Sequence, residues 1–368
     1  MGVPSALPEI GELLELDVTA VAHGGHMIAR HDGQVVFVRH ALPGERVRAV
    51  VTDRSKSFVR ADAVDILRSA PERIEPACSA ALECGGCDFQ HVSETGQREL
   101  LRTVLSEQLR RIAKEEWDVE VEAIGHFSGW RTRMDWAVNP EGKLGLRQHR
   151  RHEVVTDLDC RIAHVDLPPT DGAWAQADVR AVVTSTGQRF LVTDSDLPSD
   201  IADSVDGVVD RKGRTRQGLS AAGEQVFGRR FELSPAGFWQ VHPRAAETLV
   251  QAVLDFAQVS PGETVFDLYS GVGLFTRFLA EEVGAAGKVH AIEGSKLAHS
   301  YARKNMKSLS QVALHHGPVE RVLRNQAIPA EADLIVADPP RAGAKPAIQA
   351  IAARNASRIV HIACDPAS

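Results

Sequence analysis

The sequence has no run of about 18 apolar residues, so it offers no helix that would span a bilayer, and no membrane partner is expected. Its first stretch, MGVPSALPEIGELLELD, lacks the basic and apolar regions of a secretory signal, which sets the expectation of a cytoplasmic protein. There is no internal repeat and no low-complexity tract. Positive charge is short: 42 Lys and Arg stand against 49 Asp and Glu, a net charge of −7. That balance argues against a surface that binds nucleic acid all over, because phosphate contacts need Lys and Arg. Cysteine is scarce and odd in number, five in 368 residues. In a reducing compartment that excludes a disulfide framework and turns attention to metal or catalytic sulfur.

What is present is a soluble globular composition, 43% hydrophobic and 25% charged, with length for two to three domains. Residues ~10–67 alternate apolar and polar in short runs punctuated by Gly24-Gly25, Asp32-Gly33 and Pro43-Gly44. That spacing predicts a small closed barrel resembling an OB-fold. A Cys-rich loop covers ~71–92. The apolar spacing of Leu100, Leu101, Val104, Leu105, Leu109 and Ile112 predicts a helix over 94–114. Residues ~119–233 read as strand-rich and irregular, with a connection near DLPPTDG, and 238–258 as turn residues followed by a helix. From Ser260 onward short apolar strands (264–268, 288–292, 312–315, 333–337, 358–363) alternate with helices, the pattern of a parallel, doubly wound sheet. The expected division is a barrel over 1–68, a central α+β domain over 69–235 and an α/β domain over 236–368. Charge is also uneven. Residues 131–152 carry six basic side chains (Arg131, Arg133, Lys143, Arg147, Arg150, Arg151) against two acidic ones, and 211–230 carry six against Glu224 alone. Each stretch reads either as solvated surface or as a local nucleic-acid face.

The first strand of the α/β part runs into VFDLYSGVGLFTRFLA. Asp267 ends the strand, Gly271 and Gly273 permit a tight turn before a helix, and Glu293 closes the next strand, placed to accept from ribose hydroxyls. A dinucleotide fingerprint would need a third glycine where Thr276 stands. The pattern instead resembles the S-adenosylmethionine site of class I methyltransferases. The fourth strand ends in LIVADPPRAG, whose prolines stiffen a loop at the ligand-binding edge of such a sheet. Amino-methylating enzymes carry an aromatic after a related Asp-Pro-Pro stretch. Arg341 stands there instead, which points away from exocyclic-nitrogen methylation.

The fifth strand leads into HIACDPAS. On position alone Cys364 reads either as buried structural sulfur or as a nucleophile. A thiolate that adds to carbon-6 of uracil makes carbon-5 able to attack a methyl group, dividing one hard step into two. FDLYSGVGLF, DPPRAG, HIACDPAS and FWQVHPRAAETL together resemble the RNA 5-methyluridine methyltransferases, in the branch with an N-terminal TRAM domain, over essentially the whole chain. The resemblance implies that Cys364 is the nucleophile, that Gln240, Tyr269, Glu293 and Asp338 line the cofactor site with the glycine turn, and that Arg341 orients the uracil or supports its loop. Two positions depart from the family: Asp365 follows the nucleophile where Asn is usual, and His242 stands two residues after Gln240 where Asn is usual. The resemblance further implies a proton-abstracting glutamate and further strands downstream of Cys364. Neither lies within these 368 residues, so the chain is expected to be a fragment, unable to turn over normally.

Cys78, Cys84, Cys87 and Cys160 account for the other sulfurs. Four thiolates suit structural zinc or an iron–sulfur cluster; the Cys-x-x-Cys pair leans slightly to zinc on spacing, whereas zinc ribbons prefer two such pairs and this chain has one pair and two singles. CSAALECGGCDFQH resembles the family's 4Fe–4S loop, which implies that cluster in place of zinc. The implied partner is RNA, ribosomal before transfer RNA, with the protein acting as a monomer. Phe37 and Phe58 are the only barrel aromatics, so stacking there is sparse. FSGWRTRMDW offers Arg131 and Arg133 beside Trp130 and Trp136 as phosphate and base contacts. The competing expectations are an iron–sulfur RNA-binding protein without catalysis and a transfer-RNA uridine methyltransferase.

Overall fold

The computed structural model describes residues 8–169, 172, 174, 178–197, 199–325 and 328–367. The chain divides into two compact units, Met1–Ala123 with Gly145–Arg161, and Ile124–Leu144 with Ile162–Ser368. Part of the DLPPTDG connection falls outside the described residues.

The first unit is built on a barrel of five strands: β1 (Leu13–Val21), β2 (Met27–His31), β3 (Gln34–Arg39), β4 (Arg46–Arg54) and β5 (Phe58–Arg68). They close in the order β1-β2-β3-β5-β4. Strict alternation drives the closure. Leu14, Leu16 and Val18 of β1, Val36 and Val38 of β3, and Val47, Ala49 and Val51 of β4 all point inward and are buried, while their neighbours face out. Irregularities in the β4–β5 ladder supply the bend that a small barrel needs. The chain leaving the barrel is tied back to it by Glu45, fully buried, which accepts from Leu42 N (2.8 Å), Ala70 N (3.1 Å) and two nitrogens of Arg73 (2.6 and 2.8 Å). Helix α1 (Glu94–Gln108) starts at Ser93, whose hydroxyl accepts from Gly96 N. It ends in a π turn over Leu109–Ala113, closed by Lys114 in the left-handed region. A hairpin, Leu144–Arg147 with Val154–Thr156, completes the unit.

The second unit opens with a mixed sheet ordered Thr215–Gly218, Gly207–Val209, Arg189–Val192, Val179–Val183, Arg133–Val138, and a separate hairpin, Ala222–Val226 with Arg229–Leu233. Helix α2 (Ala245–Ala257) follows, then β6 (Thr264–Leu268), α3 (Leu274–Val283), β7 (Lys288–Glu293), α4 (Lys296–Asn305), β8 (Val312–His316), α5 (Val319–Leu323), β9 (Leu334–Ala337), α6 (Ile348–Ala352) and β10 (Arg358–His361). The five strands are all parallel and ordered β8-β7-β6-β9-β10. Both faces are covered, which is why β9 is a continuous apolar run and β6 is buried from Val265 to Leu268, Asp267 included, instead of alternating. One core runs from Val182 and Phe231 through α2 and α3 to Val336. A second, around Phe266, Ile292, Ile335 and Ala350, fills the other face. The chain steps outward from β6 to β8, then returns to the far side of β6 as β9. The crevice between β6 and β9 is therefore the switch point, where open α/β sheets bind ligands.

Candidate functional site

Because the strands are parallel, every residue that ends one lies at the same edge. Leu268 pairs with Ile292 and Ala337, and Ala337 with His361. Tyr269 and Asp338 thus follow neighbouring strands directly, Glu293 ends β7, and Cys364 stands three residues past the last paired residue of β10. The backbone continues the alignment: Ser270 N donates to Ile292 O (3.0 Å), Asp338 N to Leu268 O (3.3 Å) and Ile362 N to Ala337 O (2.8 Å). The turn after β6 takes three left-handed residues, Tyr269 (φ 63°), Gly271 (57°) and Gly273 (95°). A β-carbon at Gly273 would meet the Met306 methyl at 3.0 Å, whereas one at Gly271 would meet nothing within 4 Å. Gly271 therefore faces open space, as a ligand-approach position should.

Glu293 is bound on both oxygens, by Gly271 N (2.8 Å) and by Ser295 N (2.5 Å). The next turn and the glycine turn are thereby held by one carboxylate. Asn305 of α4, which no sequence signal marked, donates to Val272 O (2.9 Å) and Glu232 O (3.0 Å) and accepts from Glu232 N (2.8 Å). It pins the turn to the 222–233 hairpin. Asp267 is fully buried and takes the Thr276 hydroxyl on one oxygen, while its other oxygen has no partner. Burial, opposed by that hydroxyl and reinforced by the charges of Asp338 and Glu293, pushes its carboxyl up to about 7. Burial likewise raises Asp338 to about 6. Three carboxyl groups converge on the switch point, a setting suited to a cationic ligand. Gln240 is half-buried between Trp239 and Val241, whose carbonyl accepts from the N–H (2.8 Å) and hydroxyl (3.0 Å) of Thr132. Arg341 and Cys364 are exposed.

In the first unit the four cysteines come together. Cys84 senses the charges of Cys78, Cys87 and Cys160, and Cys87 those of Cys78 and Cys160. Burial, opposed by a hydrogen bond to each sulfur and reinforced by these neighbours, pushes the thiols of Cys84 and Cys87 up. Gly86 N donates to Cys84 Sγ (3.3 Å) and Gln90 Nε2 to Cys87 Sγ (3.4 Å). Gly85 lies where a β-carbon would be 3.0 Å from His149 backbone atoms. Among the described residues no three His, Cys, Asp or Glu side chains converge on a point that would hold a single metal ion. Hydrogen bonds to sulfur are seen at Cys84 and Cys87.

The sequence matches the TRAM domain over residues 8–64. A relative from Streptomyces avermitilis, named as an uncharacterized RNA methyltransferase, is 40% identical over 98% of this chain and 90% of its own length. One so named from Streptomyces coelicolor is 40% identical over 98% and 85%, and one from Corynebacterium efficiens 32% identical over 97% and 86%. The chain belongs to this RNA methyltransferase family. Its fold is that of a class I methyltransferase behind a TRAM barrel. The crystal structure of Pyrococcus abyssi tRNA (uracil-54, C5)-methyltransferase with S-adenosyl-L-homocysteine superposes with a TM-score of 0.70, covering 96% of this chain and 90% of that one at 20% identity. At that identity the likeness speaks for the fold.

Within this RNA methyltransferase several side chains of the basic stretches are taken up by packing and ion pairs. Arg133 is 5% exposed, paired with Glu224 (3.4 Å) and bonded to Pro235 O (3.3 Å), and Trp136 is buried. Both belong to the core, because the strand Arg133–Val138 is packed on both faces. Trp130 and Arg131 stay half-exposed: Trp130 stacks on His242 (5.8 Å between centroids) and Arg131 lies over Trp130 (6.0 Å). In the second stretch Arg214, Arg216 and Arg229 are paired with Asp210, Asp196 and Glu281. Among the described residues no helix is long and apolar enough to cross a membrane.

Proposed function

We propose that the chain is an S-adenosylmethionine-dependent RNA (uracil-5-)-methyltransferase, acting as a monomer on carbon-5 of a uridine in structured RNA, ribosomal before transfer RNA. The observation that carries this reading is the arrival of Tyr269, the Gly271 turn, Glu293, Asp338 and Cys364 at one edge of one parallel sheet, in a chain of the TRAM-containing RNA methyltransferases. When bound, S-adenosylmethionine supplies an electrophilic methyl group on a sulfonium. Gly271 and Gly273 let backbone approach it, Glu293 is held where ribose hydroxyls would donate, and Asp338 and Gln240 border its other end. Negative charge at this edge favours a cationic ligand over a neutral one. The Cys364 thiolate adds to carbon-6 of the flipped uracil, the electron pair released into the ring makes carbon-5 the nucleophile, and loss of the carbon-5 proton to a base then breaks the Cys364–carbon-6 bond and restores the ring. Arg341, exposed on the stiff Asp-Pro-Pro loop, is placed to hold the ring or its phosphate.

RNA carrying 5-fluorouridine at the target position tests this, because fluorine cannot leave as a proton and the adduct persists. With cofactor present, wild-type protein is expected to form a denaturation-resistant complex and Cys364→Ser none. An equal yield from both proteins would remove Cys364 from the chemistry. We propose that Cys78, Cys84, Cys87 and Cys160 hold a 4Fe–4S cluster, a reading that rests on the resemblance of CSAALECGGCDFQH to the family's cluster loop and on the N–H···S bonds at Cys84 and Cys87. Protein purified without oxygen should carry about four irons per chain, lost in Cys84→Ala; stoichiometric zinc instead would reverse that assignment.

A further inference from the structure

A cleft of about 490 Å³ opens in the first unit between the barrel, the cysteine loop and the 148–151 turn. Its floor holds an anomaly. Arg39 is 5% exposed, yet its Nη2 makes no hydrogen bond. The guanidinium is ion-paired through Nη2 with Asp88 at 3.6 Å and through Nη1 with Asp62 at 3.9 Å, both longer than a hydrogen bond. His149 Nε2, in the same cleft, is also buried without a partner. A buried guanidinium nitrogen held only by a long ion pair leaves room for a closer acceptor.

The wall above is built to present a second guanidinium. His26 is locked by Gly24 O on Nδ1 (3.1 Å), so its Nε2 accepts from Arg60 Nη1 (3.3 Å). Arg60 also lies over Phe58 (5.1 Å) and Phe37 (5.6 Å). Held on these sides, its fork is fixed before any ligand arrives, the arrangement that suits bidentate oxyanion binding. Arg150 comes close enough that its charge adds to burial in lowering the Arg60 pKa. Arg151 lines the mouth. Asp53, Asp62 and Glu83 line it too, so the cleft is mixed in charge. Its most buried charged group, however, is the guanidinium of Arg39.

We propose that this cleft binds one phosphodiester group of the RNA, between Arg39 and the Arg60–Arg150 pair, with the adjoining nucleoside against the Phe37–Phe58–Arg60 face. The proposal rests on the RNA-modifying reading above and adds a contact remote in sequence from the methyl-transfer edge. An anion next to a flat aromatic and guanidinium surface is the chemistry of a nucleotide, where a carboxylate peptide would leave that face unused. The cysteine loop sets the site. Leu82 and Glu83 form part of the wall, Gly85 N donates to Arg147 O (2.9 Å), and Cys84 bridges to Gln148, which holds the turn that carries Arg150 and Arg151.

The test is fluorescence anisotropy of a labelled single-stranded, uridine-containing RNA across a salt series, on the full chain, on Arg60→Gln/Arg150→Gln and on Arg39→Lys. The double variant is expected to bind about tenfold or more weakly, with the log–log salt slope reduced by about one to two. Its melting temperature and its affinity for S-adenosylhomocysteine should be unchanged. Arg39→Lys, which keeps the charge but not the fork, should fall between. If wild-type protein binds RNA and the variants match it in affinity and slope, this site is overturned while the methyltransferase reading stands. Wild-type protein that binds no RNA overturns both. Titration with inorganic phosphate and with polyglutamate forms the remaining arms: either one saturating the cleft without displacing RNA assigns it to that ligand and refutes the RNA contact.

Discussion

The Arg133–Glu224 pair tests most directly how the basic residues of this chain divide between packing and binding. Both side chains are 5% exposed, and Glu224 also accepts from Ser185 N at 2.9 Å. In Arg133→Met the volume is roughly kept, but Glu224 becomes a buried carboxylate without its counter-charge. Breaking such a pair from one side costs about 3–5 kcal/mol. In a unit of this size each kcal/mol lowers the melting temperature by about 2–4 °C, so a fall of about 6–20 °C is expected. Trp130, Trp136 and Trp239 all lie in this unit, so intrinsic fluorescence follows its melting directly. The double variant Arg133→Met/Glu224→Gln should recover much of the loss, because a neutral amide is cheaper to bury. RNA affinity measured well below the transition should keep its salt slope. A stable Arg133→Met protein whose slope drops by about one would show that Arg133 touches phosphate and that the core assignment is mistaken.

The carboxyl of Asp267, raised from 3.8 to about 7, binds its proton more tightly folded than unfolded. Its contribution to stability is full below pH 4 and is lost as pH rises towards 7, on the order of a few kcal/mol. Asp267→Asn, read by melting temperature from pH 4 to 8, should flatten that part of the decline; an unchanged profile would mean the group is ionised throughout. The two turn glycines should separate. Gly271→Ala meets open space at φ 57°, so it should cost about 1–2 kcal/mol of stability yet block S-adenosylhomocysteine binding in calorimetry. Gly273→Ala, at φ 95° against the Met306 methyl, should lower the melting temperature clearly more, and equal losses would undo the distinction.

The α/β part was the most legible region. Strand 264–268 was expected with the bounds it has, because a short apolar run between Gly262 and the Gly271 turn leaves little choice. The residues expected at the site ended their strands in compact motifs, so parallel topology alone brought Tyr269, Glu293, Asp338 and Cys364 to one edge. The helix over 94–114 was read from apolar spacing, yet Leu101 is 46% and Ile112 58% exposed, and the last turn widened to a π turn. Spacing cannot tell which of two apolar flanks will find a partner. Arg133 looked like a phosphate ligand because Glu224 lies 91 residues away and nothing local announces the pairing. Arg39 and Asn305 were silent for the same reason: a buried guanidinium or a bridging amide is defined by distant backbone.

Arg358, the first residue of β10, donates to Ala257 O (2.7 Å) and Gln258 O (2.6 Å) at the end of α2 and pairs with Glu263. The root of that strand is therefore bolted to the helix it lies beside, while the sulfur sits at the far tip, past the final rung of the ladder. The addition to a pyrimidine proposed for Cys364, and its later release, would require the sulfur to approach carbon and withdraw again while the strand behind it stays anchored.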